Sequence, residues 1–134
     1  MDATRQRLMP AASHTRADRA VAYRAMLFAA ELLLRAGSGV VLDAPYGHPE
    51  DRADLATVAA SQRSLIECRV SEDVAVERLR ARGIPDPSRP DLTEERVVQL
   101  NREYRYTGEG LLLDTGKLSV EECLALIESY LAGA

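Results

Sequence analysis

Apolar residues recur with helical spacing over residues 16–36, where Val21, Ala25, Phe28 and Leu32 define the face expected to be buried. Thr15 is placed to cap this helix at its start, and Gly37 to end it in the left-handed conformation. The pattern then changes. Val40 to Asp43 is a short apolar run rich in β-branched residues, which predicts a strand buried on both faces. Pro45, Gly47 and Pro49 mark a loop, and a helix is expected from about Pro49 to Ala60. Ser64 to Val70 reads as the next strand. Ser71 caps a helix whose first turn carries Glu72 and Asp73, charges that suit the positive end of the helix dipole.

The stretch 83–92 holds three prolines and cannot form a regular element. Thr93 caps a helix to about Tyr104, and Leu111 to Asp114 is a third strand. Ser119 and Glu122 form a capping box for the last helix, with Leu118 placed to staple against Cys123. Helices alternating with short apolar strands argue a layered α/β fold with a mainly parallel sheet. At 134 residues, one domain with a core of its own is expected over 1–134.

Composition narrows the possible functions. The net charge of -4 argues against general affinity for nucleic acid. Lys117 is the only lysine, so arginine carries nearly all the positive charge. Cys68 and Cys123 lie on apolar segments and are expected as buried thiols in a reducing cytosol. No signal peptide and no membrane-length apolar run is visible, which predicts a cytoplasmic protein.

The chemistry-bearing pattern is a carboxylate at the end of a buried strand, Asp43, followed by a second strand and a helix bearing Arg78, Arg80 and Arg82. Phosphoryl transfer wants such a carboxylate, and mobile arginines to meet the charge on the moving phosphate. The usual phosphate cradle, G-x-x-x-x-G-K-[ST], does not occur in these residues. Other signals carry less. Asp114-Thr115-Gly116 spells the aspartic-protease triplet once, where that chemistry needs two. His14 and His48 are too few and too separated for a zinc site. Tyr104 and Tyr106 with Arg102 and Arg105 could stack on bases, but the acidic balance of the chain speaks against it.

The order of these pieces resembles the small P-loop kinases of the zeta-toxin, chloramphenicol-phosphotransferase and gluconate-kinase kind, among the bacterial AAA-type ATP-binding proteins. The resemblance rests on Asp2 and Arg5, the helix around Tyr23, the VVLDA run at 40–44 and Arg52. It continues through the LIEC strand, Arg78-Leu79 with Arg82, and Pro87-Ser88. It implies a P-loop NTPase-like three-layer fold with a lid at about 72–92, ATP and magnesium as cofactors, and a small hydroxylated substrate. It further implies Asp2 as general base, Arg5 and Arg52 as substrate-binding residues, Asp43 near the metal through water, and Arg78 and Arg82 on the nucleotide phosphates. For each residue a plainer role stays open: a terminal residue for Asp2, a turn cap for Asp43, a solvated helix face for Arg78 and Arg82.

One departure stands at the start. The resemblance places a strand and glycine-rich loop ahead of the Asp-x-x-Arg segment, whereas here Met1 directly precedes Asp2. The fold is therefore expected to be N-terminally truncated, without its central strand and phosphate loop. A fragment or misassigned start, a strand-donating partner or homodimer, and a sheet closed up on itself are the competing accounts. The alternative function is a non-catalytic binding or regulatory module derived from such a kinase.

Overall fold

The computed structural model describes residues 2–11, 15–83 and 92–133. It is mixed α/β, and it divides into two compact units, Met1–Gln62 and Arg63–Ala134.

The first unit is helical. It contains α1 (Asp2–Leu8), α2 (Arg16–Arg35) and α3 (Pro49–Thr57), with α1 and α3 both packed on α2. Thr15 caps α2 as the sequence predicts. Its hydroxyl accepts from the Asp18 amide at 3.1 Å, and the Asp18 carboxylate accepts from the Thr15 amide at 3.2 Å. The helix closes on Gly37, at φ +80°, where the Gly37 amide donates to Leu34 and the Ser38 amide to Leu33, each at 3.0 Å. This double closure needs a left-handed residue, which glycine supplies without steric cost. Helix α1 has no counterpart in the predicted elements.

Two expectations fail in this unit. Val40 to Asp43 is not a strand, and Val41 is 95% exposed. An apolar β-branched run becomes a strand only when neighbouring backbone pairs with it, and here no ladder forms. The predicted face of α2 is also turned outward, with Phe28 at 62% exposure and Val21 and Leu32 about half exposed. The buried residues are instead Ala22, Tyr23, Leu27 and Ala30, joined by Val58 beyond α3. Helix α2 carries apolar residues on more than one side, so its packing partners, not its periodicity, choose the buried face.

The second unit contains β1 (Ile66–Arg69), α4 (Glu72–Ala81), α5 (Glu94–Glu103), β2 (Leu111–Asp114) and α6 (Val120–Ala132). Strands β1 and β2 pair in parallel, from Ile66 opposite Leu111 to Arg69 opposite Asp114, and among the described residues they form the whole sheet. Helix α4 packs on α5, and α6 on β2. Leu113 and Leu79 supply the buried apolar core. The predicted caps are all present: Ser71 on the Val74 amide, Thr93 on the Arg96 amide, and the reciprocal Ser119–Glu122 box. Gly110 is fixed by close approach, because a Cβ there would overlap the Leu65 carbonyl that accepts from the Leu111 amide. Cys68 is exposed, not buried: the inward position on β1 belongs to Glu67. Pro87 and Ser88, with the rest of 84–91, lie outside the described residues. Among the described residues no helix is long and apolar enough to cross a membrane.

Candidate functional site

In the first unit, polar and aromatic side chains gather on the loop between 40–43 and α3. Tyr46 sits at φ +43°, a left-handed conformation that is uncommon for a bulky residue and is held only where its surroundings impose it. Three contacts impose it. The Tyr46 amide donates to the Tyr23 hydroxyl at 3.3 Å, and Arg52 Nε donates to the Tyr46 carbonyl at 2.7 Å. The Tyr46 ring packs on Tyr23 with centroids 5.2 Å apart. Burial pushes the Tyr46 phenol up to about 12, helped by Tyr23 and by the charge on Asp51. Burial also raises Tyr23, against the lowering effect of its bond from the Tyr46 backbone.

Asp51, in the first turn of α3, is 4% exposed. Arg16, at the start of α2, donates to its Oδ1 at 2.9 Å. The Asp51 Oδ2, the Arg16 Nη1 and the Tyr46 hydroxyl are all buried without a hydrogen-bond partner. Asp43 is exposed in the same loop, three residues before Tyr46. The structure therefore joins Arg52 to the loop that follows Asp43. The side chains of Asp2 and Arg5 lie outside the described residues.

In the second unit, Arg78 on α4 reaches the turn after β2, donating to the Thr115 hydroxyl at 3.0 Å and to the Thr115 carbonyl. Thr115 is itself bonded back to the Arg69 carbonyl through its amide at 2.9 Å and its hydroxyl at 3.1 Å. Arg78 thus ties α4 to the sheet end. Arg82 lies at the exposed C-terminal cap of α4. Arg80, the arginine assigned no role, forms a two-pronged pair with Glu94 of α5 at 2.7 and 2.6 Å, and Arg102 answers with Glu72 at 2.8 and 2.7 Å. These bonds lower both carboxyls and raise both guanidiniums from their ordinary values. The protease-like triplet has a local explanation. Asp114 accepts from the Gly116 amide at 3.2 Å and pairs with Arg69 at 3.4 Å, so it serves its own turn.

Sequence reasoning missed Arg16, Tyr46 and Asp51. Asp51 reads as an ordinary acidic residue in a helix's first turn, and Tyr46 as loop between Pro45 and Gly47. The hint available was an aromatic residue set between two conformational extremes. Arg16 gave none.

A profile of the AAA domain family matches residues 1–107. No curated protein and no solved structure matches the chain.

Proposed function

The chain belongs to the AAA domain family of P-loop, kinase-like modules, and on that premise we propose that it serves an ATP-dependent phosphotransferase acting on a small hydroxylated molecule. The kinds of enzyme this reading takes as its guide are the zeta-toxin, chloramphenicol-phosphotransferase and gluconate-kinase enzymes, which the order of sequence motifs resembles. The observation that carries the reading is the family match over residues 1–107.

When bound, ATP and magnesium supply the phosphoryl group and the positive charge that neutralises it in transfer. Among the described residues no cluster of three or more His, Cys, Asp or Glu could ligate a metal directly. The group that suits magnesium is the exposed Asp43 carboxylate, acting through water, with the nucleotide supplying further oxygens. Asp2 takes the proton of the substrate hydroxyl, and Arg5 contacts the substrate. Arg52 binds substrate in this reading while its Nε holds the Tyr46 carbonyl. Arg82, exposed at the end of α4, meets phosphate charge, and Arg78 joins it by leaving Thr115.

That last requirement favours a second reading. An arginine already bonded twice to Thr115 suits a fixed, non-catalytic module derived from a kinase. Transfer of labelled phosphate from ATP to a panel of small alcohols, using the protein as its gene encodes it, separates the two. Turnover that falls by roughly 10²-fold or more in Asp43→Asn supports the kinase. Absence of transfer to every acceptor supports the binding module.

A further inference from the structure

The unsatisfied ends of Arg16, Tyr46 and Asp51 point to a ligand. A guanidinium facing a carboxylate ordinarily satisfies both oxygens through two parallel bonds. Here Arg16 Nη2 bonds only Oδ1 of Asp51, with Glu50 3.8 Å from the same nitrogen, and leaves its own Nη1 and the Asp51 Oδ2 buried and unspent; the Tyr46 hydroxyl, near enough to feel the Asp51 charge, is equally unpartnered. Buried polar atoms are nearly always paired, so three orphans on one linked set of side chains need an account. The set is also pre-arranged: Tyr46 is held in a strained conformation by Tyr23 and Arg52.

The orphan atoms define what fits. One carboxylate oxygen accepts, one guanidinium N–H donates, and the phenol does either. A carboxylate or phosphate ligand would meet the negative Asp51, and an ammonium would meet the positive Arg16. A neutral hydroxyl satisfies all three, donating to Asp51 and accepting from both Arg16 and Tyr46 through its two lone pairs. We propose that Arg16, Tyr46 and Asp51 form a seat for one hydroxyl of a polyol, opened by movement of the loop at 45–47. As a kinase substrate, a point that rests on the function proposed above, the ligand needs a second hydroxyl. The seated one is buried, and another must stay exposed to receive phosphate.

The test needs no nucleotide. Glycerol, erythritol, ribitol and myo-inositol are titrated into the 15N-labelled protein, following backbone amide signals. Saturable shifts at Tyr46, Gly47 and Asp51 are expected for at least one polyol. Tyr46→Phe, which keeps the ring and removes only the orphan oxygen, should weaken that binding roughly tenfold or more, as should Asp51→Asn. The same spectra report whether each variant is folded. No saturable shift with any of the four overturns the seat, and so does unchanged affinity in Tyr46→Phe. A crystal structure with one water bridging the three atoms, retained in the presence of polyol, also overturns it. Loss of phosphotransfer with polyol binding intact would instead overturn the kinase reading alone.

Discussion

Two buried carboxylates, one in each unit, are treated in opposite ways. Glu67, 5% exposed on β1, accepts from the Thr107 amide at 3.0 and 3.1 Å, the Thr107 hydroxyl at 2.9 Å and the Gly108 amide at 3.4 Å. Asp51, equally buried, accepts a single bond from Arg16 and leaves an oxygen orphaned. A buried charge is tolerated when its lone pairs are filled. Glu67 meets that condition and so works as a structural fastener, clipping the loop before β2 to β1. Asp51 does not, and an interior that leaves a carboxylate half-satisfied is either losing stability there or keeping the site for something else.

The sharpest way to break this contrast is to remove each carboxylate in turn. Glu67→Ala strands donors that β1 had satisfied, and should cost about 2–4 kcal/mol of stability. Asp51→Ala removes an orphan acceptor along with one bond, and the half-exposed Arg16 can rehydrate, so about 1 kcal/mol or less is expected. Urea unfolding of the two variants checks the order. Equal losses would mean that Asp51 is as structural as Glu67.

A second substitution sharpens the same side. Gly110→Ala drives a methyl into the Leu65 carbonyl, just beyond the loop that Glu67 secures. Since the obstacle is backbone at the start of the ladder, not a movable side-chain end, the cost should be about 1–3 kcal/mol. Urea unfolding measures it, and loss of amide protection over 111–114 in hydrogen exchange would localise it.

The same contrast explains what the sequence could tell. Caps were legible because they are local: Thr15, Ser71, Thr93 and Ser119 each bond to an amide three residues on. Strands β1 and β2 were legible because each finds the other. The run at 40–43 is at least as rich in apolar and β-branched residues but forms no ladder, because its own residues fix strand propensity and not whether other backbone will pair with it. The face of α2 was misjudged because residues on either side of Val21 and Phe28 are apolar enough to bury. The polar cluster was illegible for a related reason. Arg16, Tyr46 and Asp51 are 30 and 5 residues apart along the chain, and only tertiary packing brings their effects together. Glu67 sat inside an apolar strand in plain view, but its partners Thr107 and Gly108 lie 40 and 41 residues away.

The smallest expected effect tests the orphan side directly. The Tyr46 phenol is raised from 10 to about 12, mainly by burial. A group whose native value lies above its unfolded one holds its proton more tightly when folded, so its stabilising share is intact below about pH 10 and is lost as the pH climbs toward 12. Tyr46→Phe deletes a buried hydroxyl that has no partner, so near neutral pH the variant should be as stable as the parent, or more stable by up to about 1 kcal/mol. Above about pH 10 it should also lose less than the parent does. Some alkaline loss will persist, because burial raises Tyr23 and Tyr106 as well. Urea midpoints for both proteins at about pH 9 and about pH 11 read the difference. A variant markedly weaker than the parent at the lower pH would show that the hydroxyl is satisfied after all. Arg16 and Asp51 would then form a closed structural pair like Glu67 and its loop.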